Sequence, residues 1–299
     1  MIPSGFVGVD RVTHVAPLGL RLWDPVAEAI VGEGLTVQAA PAADPRRRIT
    51  AFTNLSGVHV FRDLPGLRQF EHGPGEAAFW PEHPPALEFV IEVTDDRRRF
   101  QPFSLKTRLP VRGLLGWDCD PSGSSLPRGI RAVPLFSAPA RAVPGALAVV
   151  RAELWDAVAQ APAAWALVEV RVAVAHLAWG LADARGRVAL IFAYPEAPAG
   201  TIASPPGSPP FAAGASLLAQ TWHVHLRAYY APSEQVLERP DLCDVFRQPI
   251  AALWADSGLG RPLAAQTLQF GRELIVQSAG GGPDGPRSVL WITPGGSPP

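Results

Sequence analysis

The sequence predicts an all-β protein, with two antiparallel β-sandwich domains followed by a strand-rich C-terminal extension that carries one short helix. Three observations lead there. The 299 residues include 33 Pro and 28 Gly, which disfavours long helices because Pro removes a backbone donor and Gly loses the most chain entropy on ordering. Short alternating apolar runs recur between Asn, Asp and Gly residues at turn spacing. Part of the chain is also repeated, which points to a duplicated unit.

The repeat is read from residues 22–35, LWDPVAEAIVGEGL, against residues 154–167, LWDAVAQAPAAWAL, 132 residues further on. It continues in 49–61, ITAFTNLSGVHVF, and 177–192, LAWGLADARGRVALIF, at an offset of 129. The difference of three residues belongs in a surface loop.

Each copy has four parts. A strand at 18–23 or 148–155 ends at Asp24 or Asp156, whose carboxylate is suited to accept backbone N–H groups in the following turn. The next strand covers 34–39 or 165–174; in the second, Val168, Val170, Val172 and Val174 share one face while Glu169 and Arg171 share the other. A hairpin turn follows at Asn54 to Gly57 or Asp183 to Gly186, with the residue preference of a type I turn and a Gly suited to positive φ. Asn in one copy and Asp in the other argues for a turn rather than a catalytic carboxylate.

Further strands are expected at 86–94, 100–105, 221–230, 266–277 and 288–293, with a short helix at 240–248 opened by Pro240 and Asp241. The organisation is then a first sandwich over 1–112 and an extended Pro/Gly-rich connection over 113–147. A second sandwich core covers 148–204, and the strand-rich extension of 205–299 completes or packs on it.

Charge narrows the function. A net charge of -1, with Lys106 the only lysine, gives no concentrated basic surface for nucleic acid or an anionic membrane. Glu169, Arg171 and His176 interrupt the most apolar stretch, so no membrane insertion is expected. The start MIPSGFVGVDRV lacks the pattern of a secretory leader, so synthesis in the cytoplasm without an export signal is expected. Two cysteines, Cys119 and Cys243, cannot build a disulfide framework and lack metal-ligand spacing, which fits a reducing or indifferent environment.

Candidate chemistry is sparse. His223 and His225 lie on one face of a strand and are weak candidates for a metal site without a third ligand nearby. Cys119 sits between Asp118 and Asp120, which raise a thiol's pKa, the wrong direction for a nucleophile. Serines 122–125 and 204–208 lack a nucleophile-elbow context, and GGGPDGP lacks the lysine and helix of a phosphate loop. Asp24, Asp156 and Asp183 already have turn roles, which weighs against Ca²⁺ binding. Trp80, Trp222, Trp254 and Trp291 offer either core residues or a sugar-stacking face. No catalytic residue, cofactor or metal is assigned.

The unit resembles the carboxypeptidase regulatory-like (transthyretin-like or prealbumin-like) β-sandwich module. The matching residues are Leu154, Trp155, Asp156, 164–170, Asp183, Gly186, Val188 and Leu190, and in the first copy 22–24, Leu35, Asn54, Gly57, His59 and Phe61. The overall order, with RSVLWITPGGSPP at the end, also resembles accessory structural proteins of contractile phage-tail-like injection particles. That resemblance implies a non-enzymatic assembly component, associated with the baseplate and contacting baseplate, sheath or tube proteins. A carbohydrate-binding or adhesive module is the alternative, and a hydrolase or metal enzyme using His223 and His225 a third reading.

Overall fold

The computed structural model describes residues 16–71, 86–111, 113–119, 126–127, 129–143, 145–196, 217–232, 238–280 and 288–295. The first lobe begins with β1 (Leu18–Leu20) and β2 (Leu22–Asp24), and turns at Asp24 into β3 (Ala29–Ile30). β4 (Leu35–Pro41), β5 (Ile49–Thr50), β6 (Phe52–Thr53), β7 (His59–Phe61), β8 (Leu87–Asp95), β9 (Phe103–Leu109) and β10 (Val133–Pro134) follow. One sheet has the order β5-β4-β8-β9; β1-β7-β6 and β10-β2-β3 form two more. Leu18, Leu20 and Leu22 share a core with Val37, Ala39, Phe89, Ile91, Val93, Phe103 and Leu105. The alternation is plain in β8, where Phe89, Ile91 and Val93 are buried and Glu88, Val90 and Glu92 are not.

The second lobe repeats the plan with β11 (Leu147–Asp156), β12 (Ala161–Pro162), β13 (Leu167–Val172), β14 (Ala175–Leu181) and β15 (Arg187–Ala193). β16 (Thr221–Tyr229), α1 (Leu242–Phe246), β17 (Ile250–Leu253), β18 (Gln266–Gln269), β19 (Leu274–Val276) and β20 (Leu290–Thr293) come next. Val150, Leu154, Val168, Val170, Val188, Leu190, Val224, Leu268, Leu290 and Ile292 belong to its core.

Register shows how far the duplication extends. Trp23 pairs Ile30 as Trp155 pairs Pro162, and Leu35 pairs Asp95 as Leu167 pairs Tyr229. Leu22 runs parallel to Val133 in β10, as Leu154 does to Leu290 in β20. The parallel Gly19–Leu114 bridge corresponds to the Arg151–Ile275 pair of β11 and β19. Segment 113–147 therefore supplies the first lobe with the edge pairings that the tail strands supply to the second. These pairs are parallel within otherwise antiparallel sheets because their strands arrive by long connections rather than hairpins.

The two hairpin turns share one hydrogen-bond pattern. Asn54 Oδ1 accepts the N–H groups of Ser56 and Val58 at 2.9 and 3.0 Å; Asp183 Oδ1 accepts those of Arg185 and Arg187 at 2.8 and 2.9 Å. Gly57 and Gly186 close them with φ of 71° and 76°. Asp24 Oδ1 accepts the N–H of Val26, and Asp156 Oδ1 those of Val158 and Ala159.

The strands differ from the sequence expectation: β9 covers Phe103–Leu109 rather than 100–105, and β10 and β17 have no expected counterpart. Three further differences have a local cause. β13 stops at Val172, because Ala173 takes a φ of 50° and turns the chain into β14, leaving Val174 85% exposed. Glu169 is 5% exposed and Leu167 1%, so β13 starts buried on both faces instead of one. The predicted strand over 266–277 breaks at Gly271, with φ 71°, where the chain passes from β16's edge to β11's.

Candidate functional site

The candidate site is the seam between the lobes, and it is built by an insertion. After β8 the first lobe turns tightly: the Asp95 carboxylate accepts the N–H groups of Arg97, Arg99 and Phe100, and its side chain pairs with the Arg99 guanidinium at 3.0 Å. At the matching position after β16, Tyr230 instead begins an excursion that closes only where its N–H donates to the Pro249 carbonyl, 2.9 Å away. That excursion carries α1.

α1 lies against the first lobe. Asp241 caps it, with Oδ1 accepting from the N–H groups of Cys243 and Asp244 at 3.0 and 3.2 Å. The other carboxylate oxygen takes the Lys106 N–H of β9 at 3.1 Å. Leu242, Val245 and Phe246 are buried in the first-lobe core, which also takes Trp165, Leu167 and Leu181 from the second lobe. Their burial explains why Leu167 is covered on β13. Phe246 is the hub of an aromatic row, with ring centroids 5.4 Å from Trp117, 6.0 Å from Phe136 and 5.5 Å from Trp179. Trp179 in turn stands 5.6 Å from Tyr229 and 5.3 Å from His176.

Cys119 and Cys243 are joined as a disulfide with Cα atoms 4.9 Å apart. This corrects the reading of a reducing environment, leaving the indifferent one: two cysteines 124 residues apart meet because the insertion crosses the seam. The sequence signal was the apolar trio Leu242, Val245 and Phe246, which needed a partner outside its own lobe.

Beside this row runs a groove of about 830 Å³, with Trp23, Pro25, Phe136 and Ser137 on one wall and His176, Trp179, Phe192 and Tyr194 on the other. Several of its polar groups are paired. His176 Nδ1 is 3.1 Å from Glu169 Oε1, and Ser137 Oγ accepts from Arg141 at 3.1 Å. Arg141 also grips Asp24 through both carboxylate oxygens, at 2.9 and 2.6 Å. The seam thus offers apolar and aromatic contact surface with His176–Glu169 and Arg141–Asp24 paired beside it, an arrangement suited to holding surfaces together.

The sequence candidates fall elsewhere. His223 and His225 are exposed on β16, opposite Thr267 and Arg171 respectively. Among the described residues, no three His, Cys, Asp or Glu side chains form a cation-binding group. Trp222, Trp254 and Trp291 are 6%, 2% and 7% exposed, so they form no sugar-stacking face; Trp80 lies outside the described residues. So do Asp120, serines 122–125 and 204–208, and most of GGGPDGP. Asp118, next to the disulfide, is exposed. Among the described residues, no helix is long and apolar enough to cross a membrane.

Neither a protein-family model nor a curated protein matches the chain. Among solved structures, the chain is similar to the Bacillus anthracis TIE protein at 7% identity and a TM-score of 0.23, covering 94% of this chain and 34% of that one. The minor pilin GBS52 of Streptococcus agalactiae is 7% identical with a TM-score of 0.22, over 94% of this chain and 98% of the pilin. The shaft pilin SpaA of Lactobacillus rhamnosus GG is 8% identical with a TM-score of 0.21, over 97% and 100%. The chain spans about a third of the TIE protein, and likenesses of this size carry no functional argument.

Proposed function

We propose that the chain is a non-enzymatic structural and assembly component of a contractile phage-tail-like injection particle, placed at the baseplate and working through contacts with baseplate, sheath or tube proteins. The observation that carries this reading is the seam. Trp165, Leu167 and Leu181 of one lobe and α1 from the insertion share a core with the other lobe, a construction that resists relative motion and suits a spacer under load. The order of sequence features that resembles accessory proteins of such particles supports it.

The test is to tag the chain in its source, isolate sedimenting particles and probe them for it, then delete it and image the particles. Recovery with sheath and tube proteins, and baseplates lost or malformed on deletion, are expected. A chain that remains a free monomer while intact, contractile particles assemble without it would sink the proposal.

A further inference from the structure

We propose that the Cys119–Cys243 disulfide is a redox-operated clasp that strengthens the seating of α1 in the seam. α1 has five residues, far below the roughly 12–15 at which a helix persists alone in water. It therefore depends on what holds it: the burial of Leu242, Val245 and Phe246, the Lys106 and Ser104 N–H bonds to Asp241 and Pro240, and the disulfide. The Lys106–Asp244 ion pair is 69% and 62% exposed, and pairs at that exposure contribute little. Cys119 follows residues fixed to the first lobe: the Leu115 N–H donates to the Gly19 carbonyl at 2.8 Å, and Trp117 packs edge-on to Phe246. The bond therefore ties the inserted helix to a strand-anchored segment across 124 residues of chain. A loop that long is the kind whose closure a crosslink favours most. Both cysteines are only partly buried, so thiols and disulfides in solution reach them.

The oxidant in this reaction is a disulfide, either a small molecule or a protein. One cysteine thiolate attacks a sulfur of that oxidant and expels one thiol. The second cysteine attacks the resulting mixed disulfide and expels the other, so two electrons and two protons leave with the reduced oxidant. A dithiol reductant runs the same exchange in reverse and loosens α1. Loss of α1 would open the first-lobe core at Phe136 and Trp117 without breaking a strand pairing of the second lobe. Clasp closure therefore requires an oxidising step during or after assembly.

The test uses the full-length protein purified in air. Mass spectrometry after alkylation should find Cys119 and Cys243 blocked until a reductant is added. Reduction should then speed tryptic cleavage after Arg247 by on the order of tenfold or more, as local opening becomes easier, with cleavage after Arg227 unchanged. A Cys119→Ser/Cys243→Ser variant should be cleaved at the fast rate with or without reductant; if it does not fold, the reductant arm on the unaltered protein decides. Freely alkylating cysteines, unchanged cleavage on reduction, or an equal rise at Arg227 would each overturn the clasp.

Discussion

Gly186 stands against the main-chain carbonyl of Leu154, and its own carbonyl accepts the Leu154 N–H at 2.7 Å. A Cβ at Gly186 would overlap that carbonyl oxygen. At the matching turn a Cβ on Gly57 meets the Ile30 Cγ2 methyl at 3.0 Å and the Gly32 backbone at an ordinary 3.9 Å. Equivalent glycines therefore have unequal tolerance. Gly186→Ala is expected to destabilise by about 3 kcal/mol or more and Gly57→Ala by about 1–2 kcal/mol, the first combining backbone overlap with positive φ and the second mainly the latter. Urea denaturation of both variants checks it; equal losses would contradict the difference in packing.

Asp183→Asn should be nearly neutral. Its Oδ1 bonds to the Arg185 and Arg187 N–H groups can be made by an amide oxygen, as Asn54 shows. The substitution removes the Arg187 pairing, whose guanidinium is 48% exposed, and exposed pairs are worth about 0–1 kcal/mol. A loss above about 2 kcal/mol on this scale, measured by thermal unfolding, would mean the carboxylate has a role beyond the turn.

Arg141→Met should be strongly destabilising. Asp24 and Arg141 side chains are 5% and 12% exposed, and removing one partner leaves a buried charge, at a cost of about 3–5 kcal/mol. Adding Asp24→Asn should recover much of that loss, because the amide retains the turn bond to the Val26 N–H. Chemical denaturation of the two singles and the double checks the coupling; additive losses would show none.

His59 makes stability depend on pH. Burial lowers its pKa from the ordinary 6.5, partly opposed by the Val31 carbonyl that accepts from Nε2. The folded histidine therefore binds a proton less readily than the unfolded one. Stability is full above the unfolded value and falls as pH drops below about 6.5, levelling off below the folded value. The Tm of the protein should decline over that range more steeply than that of His59→Gln. Identical slopes would remove His59 as the source.

Phe246→Ala should loosen the seam rather than one lobe alone, costing about 3–5 kcal/mol as for other buried aromatics. Near-ultraviolet circular dichroism should lose intensity from the Trp117, Trp179 and Phe246 row. An unchanged spectrum would show that the row does not depend on its hub.

Local features were the legible ones. Asp24, Asn54, Asp183 and the two glycines could be placed from sequence because a turn is decided within a few residues. The duplication was visible for the same reason, in its first half. Its second half was not: Leu114, Val133, Ile275 and Leu290 share register without sharing sequence, since parallel pairing asks only for apolar, extended residues. Glu169 read as a solvent-facing residue because alternation describes one sheet and is blind to a neighbour on its outer face. Cys119 and Cys243 were misjudged because nothing local tells where an insertion will dock.

The placement of α1 also sets a timetable for the nascent chain. Within the N-terminal half, strand-like pairing ends where Phe100 meets Ser137, yet the first-lobe core is closed by Leu242, Val245 and Phe246. At about 5–20 residues per second, the ribosome takes roughly 5–20 s to pass from one to the other. For that interval the apolar surface that Leu242, Val245 and Phe246 later cover has no cover from α1.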